Sequence, residues 1–569
     1  MSTHARPLAE HLAAMSDADL AELFAARGVR PDIGWQDFFD AAEALLEPSS
    51  LAKALPRLTL SEATALRRIA AGEEVADSAD LHALQRLALV RPDGGVVPPV
   101  AAAVSERPAP SAPASEHQET AGDSAAAHAA ERAFTTVATV ADLLLAAKDR
   151  PFALLAGGTL SAGEKRQLTE SGVATDAVDD LVAIASTAGL VAVGDRRLHT
   201  TGGADVWLRS SVSQRWSELA RAFRDALPRG VRSDEGGWIP LSAWAQAHPW
   251  DPAWPERSTA LSERARLLGL VADDGTEPAW ATPLRDGLDA DPAALTALLP
   301  AEVDRIFLQN DLSAISPGPL APALDVRLRT VAARESAAQA STYRFTPESV
   351  ARALVAGETE ESLVDFLESI SLTGIPQPLR YLVAQTAQRH GLVRVSTDSE
   401  TGRTRIESAD PHLIEAIAVD QALRPLGLAT HVGSLTTRVS RDTVYWALTD
   451  ARYPATLVDE DGTVLTGERH AAAPSPADDA PDYTSLIAAL RSHQGPDADA
   501  AWLDRELEAA VRAKAVLQVT VGMPDGSTRE LLLEATGLGG GRLRGRDKAA
   551  DVERTLPVSS IRAATVIAQ

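Results

Sequence analysis

The sequence contains no cysteine, and it has only five lysines against 49 arginines in 569 residues. Without cysteine there can be no disulfide, thiolate zinc site, cysteine-ligated iron–sulfur cluster or cysteine nucleophile. No apolar run reaches the roughly 20 residues that a membrane span needs. Acidic residues in the first 24 positions argue against a signal peptide. We therefore expect a cytoplasmic protein that makes no membrane contact.

Acidic residues outnumber basic ones, 79 against 54, so the formal net charge is −25. Coating of nucleic acid regardless of sequence requires many cations, so this balance argues against that class of protein. A local basic patch remains compatible with the composition. The length predicts several domains, since single cores seldom exceed about 200 residues.

A repeated element organises the sequence. Four times, an amphipathic helix runs into a short Leu-Val strand, a polar turn and a second strand. The Leu-Val pairs begin at Leu89, Leu190, Leu270 and Leu392. Three copies place glycine where a helix end favours left-handed backbone, at Gly189, Gly269 and Gly391. A helix followed by a hairpin is typical of the winged helix.

These patterns predict a mainly α, α+β multidomain chain with tandem winged-helix units, short β wings, a small α/β module and a C-terminal small β-barrel-like domain. Ala, Ser and Pro enrichment indicates two linkers, of which the first is expected to be disordered. The predicted divisions are a helical, winged-helix-like domain at 1–103, a linker at 104–131, winged-helix-like domains at 132–208 and 209–300, a third at 301–409, the α/β module at 410–467, a linker at 468–482 and a β domain at 483–569.

No catalytic pattern is present. The closest match to a phosphate loop is Gly158–Arg166, but Glu164 occupies the lysine position and no Ser or Thr follows Lys165. We interpret this segment as a turn into a helix that Ser161 caps. The histidines form no metal-binding pair, and His390 is expected to act as a cation at a helix end. The sequence thus predicts a protein that is not an enzyme and has no metal or cofactor.

The best candidate binding surface is the helix of the fourth copy, PQPLRYLVAQTAQRH. Leu379, Leu382, Val383 and Ala387 are predicted to face the core, and Tyr381 to face outward with the polar residues. No Asp or Glu lies between Gln377 and Arg394. Because Gln and Arg bind bases and phosphates, the helix and the hairpin after it form a candidate nucleic-acid site, comprising Gln377, Arg380, Gln385, Gln388, Arg389, Arg394, Arg403 and Arg405. A solvated helix face is the alternative.

Seven of the ten tryptophans lie between residues 207 and 280. Tryptophan can stack on nucleic-acid bases, but the charges around these residues are mixed. Trp216, Leu219 and Phe223 recur at helical spacing, so we interpret the cluster as core packing.

The segments FLQNDLSAISPGPLAPAL, YRFTPESVARALVAGETEESLVDFLESIS and IPQPLRYLVAQTAQRHGLVRV resemble actinobacterial helicase-associated proteins, which carry the N-terminal domain of XPB-type helicases. The resemblance extends over most of 1–466. It implies winged-helix modules and a helicase accessory domain without the helicase motor. Residues 483–569 are similar to a WYL-type domain, which implies a ligand site at Arg542, Arg544 and Arg546. The Trp-Tyr-Leu signature itself is replaced by Arg542-Leu543-Arg544.

The predicted function is a DNA-associated accessory or regulatory protein in DNA repair or transcription. Two alternatives remain open. One is a scaffold for a helicase or another repair or transcription protein, since winged-helix domains also bind proteins and −25 suits a basic partner. The other is a ligand-sensing WYL-type transcriptional regulator.

Overall fold

The structure is a computed structural model that describes residues 5–112, 118–170, 173, 177–337, 340–399, 401–431, 433–459, 461–465, 469, 472–474, 481–493, 496–523 and 527–567. It is an α+β chain of short helices and small sheets, as predicted. Its described hydrophobic residues form five buried cores. No helix among the described residues has the length and apolarity needed to cross a bilayer.

Residues 5–105 are helical. The helices are α1 (Ala5–Ala14), α2 (Asp17–Ala26), α3 (Phe38–Leu46), α4 (Pro48–Ala54), α5 (Leu60–Ala70), α6 (Ala79–Arg86) and α7 (Pro98–Ser105), with a 3-10 turn at Leu55–Arg57. Side-chain caps start several of them. The carboxylate of Asp37, for example, accepts from the N–H groups of Phe39 and Asp40 ahead of α3.

The core of this domain includes a distant part of the chain. Tyr483 and Trp502 are buried together with Phe24 and Phe38. The Tyr483 hydroxyl donates to the Val29 carbonyl at 2.7 Å. The first helix of the region 483–569, which is predicted as a domain, therefore packs into the N-terminal core.

The next region holds α8 (Asp123–Asp149), β1 (Phe152–Ala153), α9 (Ala162–Glu170), α10 (Val178–Thr187), β2 (Val191–Gly194), β3 (Arg197–Thr200), α11 (Gly202–Arg209), α12 (Val212–Asp225), α13 (Trp254–Leu267), α14 (Thr282–Arg285) and α15 (Ala293–Thr296), with 3-10 turns at Arg229–Val231 and Leu241–Gln246. The three strands form an antiparallel sheet in the order β1-β3-β2. One hydrophobic core runs from Ala129 to Leu295, so the predicted boundary at 208/209 does not separate two cores.

The linker prediction for 104–131 is wrong over its second half, because α8 begins at Asp123. Ala129 and Ala133 of α8 are buried against the end of α13. A segment rich in alanine has the composition of a linker, but alanine is also the best helix former and permits close approach of two backbones. Most of the second predicted linker lies outside the described residues.

All seven clustered tryptophans are buried, as predicted, and each is at most 3% exposed. Six lie in the core of residues 129–295, whereas Trp250 joins the N-terminal core. The turn at Gly158 leads into α9 as predicted, and the Ser161 hydroxyl accepts from the Glu164 N–H. The Glu164 carboxylate binds Arg150 and the Ala153 N–H.

The following region contains β4 (Phe307–Leu308), β5 (Ser313–Ser316), α16 (Pro322–Val331), β6 (Ala333–Ala337), β7 (Ser341–Arg344), α17 (Pro347–Val355), α18 (Glu360–Ile370) and α19 (Gln377–Arg389). The strands pair in the order β4-β5-β7-β6, and the helices bury Phe366, Leu379 and Val383 in a shared core. Asp142 of α8 lies 2.6 Å from Arg329 of α16 and also contacts Arg334, which ties this region to the preceding one.

A six-stranded sheet follows. Its elements are β8 (Val393–Thr397), β9 (Thr404–Ser408), α20 (Pro411–Val419), β10 (Ala429–His431), β11 (Ser434–Thr437), α21 (Arg441–Asp450), β12 (Ala455–Val458) and β13 (Val464–Leu465), with a 3-10 turn at Gln421–Leu426. The strand order is β10-β11-β9-β8-β12-β13. Val393, Val395 and Ile406 form one core with residues of α20 and α21.

The C-terminal region contains α22 (Thr484–Ser492), α23 (Pro496–Ala513), β14 (Val516–Gly522), β15 (Thr528–Gly539), β16 (Arg542–Asp547), β17 (Val552–Pro557) and β18 (Ile561–Ile567). The strand order is β17-β16-β15-β14-β18. A 3-10 turn at Val558–Ser560 leads from one edge to the other. The described strands thus form an open sheet, and the expectation of a barrel-like domain is corrected.

The repeated helix–hairpin element is complete in two of its four copies, at β2–β3 and β8–β9. In the first copy it is reduced to a bridge between Val90 and Val96, and the third copy keeps only a turn between Ala272 and Thr276. The left-handed backbone predicted at the helix end is present in all four. The φ angles are +53° at Ala88, +68° at Gly189, +64° at Gly269 and +76° at Gly391.

Candidate nucleic-acid interface

The fourth copy of the repeated element supplies the candidate helix, α19. It starts after Pro376 and carries Pro378 in its first turn, where a missing N–H costs no helical hydrogen bond. Leu379, Leu382 and Val383 are buried, and Ala387 packs against the same core. The predicted core-facing side of the helix is confirmed.

The opposite face of α19 is open to solvent. Its exposed residues include those predicted to face outward, Gln377, Arg380, Tyr381, Gln385 and Gln388, together with Arg389, which was predicted at the margin of the face. Tyr381 is 66% exposed, which is unusual for an aromatic side chain in a helix with an apolar face. The structure therefore presents the six residues together as one polar surface, to which α19 itself contributes two arginines and no carboxylate.

The hairpin after α19 is not a free wing. Strand β8 pairs in parallel with β12, and β9 pairs with β11, so both strands lie inside the six-stranded sheet. The predicted boundary between 301–409 and 410–467 therefore divides one sheet. Because side chains alternate along a strand, Arg394 of β8 and Arg405 of β9 share the face opposite the apolar core, whereas Arg403 lies just before β9.

Two of the predicted arginines are already paired with carboxylates. Arg380 Nη2 lies 2.7 Å from Glu368 Oε1 of α18, and Arg405 Nη2 lies 2.6 Å from Glu407 Oε1. Sequence reasoning missed both partners. Glu407 was detectable, because residues two apart on a strand share a face. Glu368 belongs to another helix, and no local pattern indicates that it reaches Arg380.

His390 does not act as the predicted cation at the end of α19. Burial lowers its pKa, since transfer out of water disfavours the charged imidazole. The positive charge at this helix end therefore comes from Arg389, which is exposed.

The second predicted site lies on β16. Arg542, Arg544 and Arg546 alternate with buried residues and point to solvent along one face of the strand. Arg544 lies between Gly537 of β15 and Thr555 of β17. Arg546 is paired with Asp551 at 2.7 Å. The three arginines form a row, but their strand belongs to the C-terminal sheet and packs on a different core from that of α19.

Within the described part of the chain, no group of three His, Asp or Glu side chains is placed to hold a metal ion. A cleft of about 640 Å³ is lined by Trp238, Glu235 and Arg285. It contains none of the predicted site residues.

In the comparison with known proteins, residues 306–431 are similar to the helicase conserved C-terminal domain. A DNA 3'-5' helicase XPB from Kineococcus radiotolerans is 33% identical over 103 residues. That stretch is 18% of this chain and 17% of the helicase, so the match covers less than a fifth of either protein. The helicase-domain match includes α19, β8 and β9, and it ends at β10 inside the six-stranded sheet.

Proposed function

We propose that this protein is a non-enzymatic accessory of helicase-related machinery in DNA repair or transcription, and that it binds DNA through α19 and the adjoining hairpin. The observation that carries the proposal is the outward face of α19, which is exposed and to which α19 contributes two arginines and no acidic residue, in a chain of net charge −25. It lies within the region similar to a helicase domain.

The winged-helix interpretation is part of this proposal. Residues 152–200 run through a strand, two helices and a hairpin, with the first strand paired to the last. In the fourth copy, the three helices α17, α18 and α19 precede the hairpin of β8 and β9. A helix presented ahead of a hairpin suits insertion into the major groove, which admits an α-helix.

The test is binding of the full chain to labelled duplex, forked and single-stranded DNA, titrated at low ionic strength and again at increasing salt. We expect salt-sensitive binding that the Arg380→Ala/Arg389→Ala double variant weakens. The matched control is Arg86→Ala/Arg209→Ala. Arg86 is exposed in the last turn of α6, the position in the first repeat that corresponds to Arg389.

A parent protein that binds none of the three DNAs at low salt would remove the DNA proposal. Equal loss of binding in the control would show that overall charge, not α19, determines the affinity. A scaffold role is favoured instead if the immobilised chain retains a helicase from the same organism but does not retain DNA.

The ligand-sensing alternative rests on the row of arginines on β16. Because α22 and α23 belong partly to the N-terminal core, deleting residues 483–569 would damage more than the ligand site. Substitution of Arg542, Arg544 and Arg546 by alanine is the cleaner variant. A thermal shift caused by a nucleotide in the parent chain, and lost in this variant, would support the alternative.

A further inference from the structure

The polar face of the six-stranded sheet is a second surface beside α19. Register places Thr456, Arg394, Glu407 and Ser434 in one row across four strands. The next row contains Ser396, Arg405 and Thr436. Helices α20 and α21 pack on the other face, where Ile414, Ile417 and Val444 meet the apolar strand residues. The polar face therefore has no role in forming the core of this sheet.

Hydroxyl groups form the floor of this face and arginines form its rim. Ser434, Thr436 and Thr456 are 4%, 8% and 4% exposed. The side chains of Arg405 and Glu407 are 43% and 45% exposed above them. Long side chains with exposed head groups and buried stems account for this difference in exposure.

Two donors on this face have no partner among the described residues. They are the Thr436 hydroxyl and the Nε–H of Arg405, which are neighbours across β9 and β11. A buried polar group without a hydrogen bond costs free energy. Both groups belong to the same row, so the two unpaired donors of this face lie side by side.

From this arrangement we propose that the polar sheet face binds the sugar–phosphate backbone of duplex DNA without reading its sequence. The inference rests on the proposed function and specifies what the hairpin contributes to it, as part of a sheet face that extends to β11 and β12. Arginine, serine and threonine are the side chains that contact phosphate and sugar oxygens. The face carries no Phe, Tyr or Trp at its described positions, whereas binding of single strands relies on bases stacking on such side chains.

Glu407 acts as an internal counterion on this surface. Its carboxylate occupies Arg405 at 2.6 Å and lies opposite Arg394 in the ladder. A phosphate that approaches Arg405 must displace it. Removing this carboxylate therefore makes one more cation available to DNA, which strengthens binding and steepens its dependence on salt.

The test compares variants of the full chain on a 20-base-pair duplex and a single strand of the same length, with affinity measured over a range of salt concentrations. Glu407→Gln is expected to bind the duplex several-fold more tightly, with a salt slope larger by about one. Arg394→Ala/Arg405→Ala is expected to reduce the slope by about one, because Glu407 already neutralises Arg405 in the parent chain. Thr436→Val keeps the shape of the floor and is expected to weaken binding several-fold.

The control is Glu415→Gln, which removes the same charge from the exposed surface of α20, on the opposite side of the sheet. It is expected to leave the slope unchanged. Variants of the sheet face that bind like the parent, while the Arg380→Ala/Arg389→Ala variant loses affinity, would overturn this inference and leave DNA binding through α19 intact. Tighter binding of the single strand than of the duplex would overturn the choice of duplex. A parent chain that binds neither would overturn both proposals.

Discussion

Arg380 and Glu368 form an ion pair at 2.7 Å between α19 and α18, and both side chains are about half exposed. The pair lies on the candidate interface itself. An exposed ion pair of this kind contributes little to stability. Its larger effect is on binding, because the carboxylate competes with any phosphate for the same guanidinium.

The first prediction concerns this competition. Glu368→Gln is expected to increase DNA affinity at low salt and to steepen the salt dependence by about one unit, because it releases Arg380. Glu361→Gln removes one charge from the exposed first turn of the same helix and serves as the control. Equal gains in the two variants, measured by titration of labelled duplex, would contradict a specific role for the Arg380 pair.

The second prediction compares two glycines at the same position of the repeated element. Gly189→Ala meets no atom within 4 Å and is expected to cost about 1 kcal/mol from left-handed strain alone. Gly269→Ala is expected to cost clearly more, because its Cβ would lie 2.5 Å from the Ala129 carbonyl oxygen and 2.9 Å from the Ala133 Cβ. Thermal unfolding of both variants measures the difference. Similar midpoints would show that α8 does not pack tightly on this turn.

The third prediction concerns pH and Glu506 on α23. Burial raises its pKa to about 7, with Arg6 at 3.9 Å opposing the shift and Glu10 adding to it. The protonated form is favoured in the folded state, so this contribution to stability is complete below pH 4 to 5. It is lost as the pH rises to about 7, and it amounts to about 3 kcal/mol.

Thermal midpoints of the parent chain should therefore fall between pH 5 and pH 8. Glu506→Gln should flatten that decline, since glutamine does not titrate. An unchanged pH profile in the variant would assign the dependence to other groups.

The fourth prediction tests the junction between α8 and α16. Asp142 is 7% exposed and contacts both Arg329 and Arg334. Asp142→Asn removes the carboxylate that Arg334 contacts and leaves Arg329 with only Asp325 at 3.7 Å, so it is expected to destabilise the first unfolding transition by about 3 kcal/mol. Asp149→Asn, an exposed change at the end of the same helix, should have little effect. Denaturant titration distinguishes the two, and equal midpoints would argue against a structural role for the network.

The sequence was most informative where structure depends on neighbouring residues. The 3.6-residue period of Leu379, Leu382 and Val383 predicts the buried side of α19, and the Gly391 position predicts its left-handed end. Such features depend on a few consecutive residues. The polar outward face was predictable for the same reason.

The parts that could not be predicted depend on distant pairing. Strand β12 lies about 60 residues beyond β8, and nothing local in either strand indicates that they pair. The carboxylate that neutralises Arg380 comes from another helix, and Thr436 enters the sheet face from β11. These relationships determine which candidate residues are available to a ligand.

The burial of Tyr483 and Trp502 beside Phe24 and Phe38 also has a consequence during protein synthesis. Residues 5–105 are made first, but their core lacks two aromatic side chains until residue 502 has emerged from the ribosome. At about 5–20 residues per second, that interval lasts tens of seconds. During this time apolar surface of the first domain remains uncovered, so we expect the nascent chain to need chaperone protection until its later helices arrive.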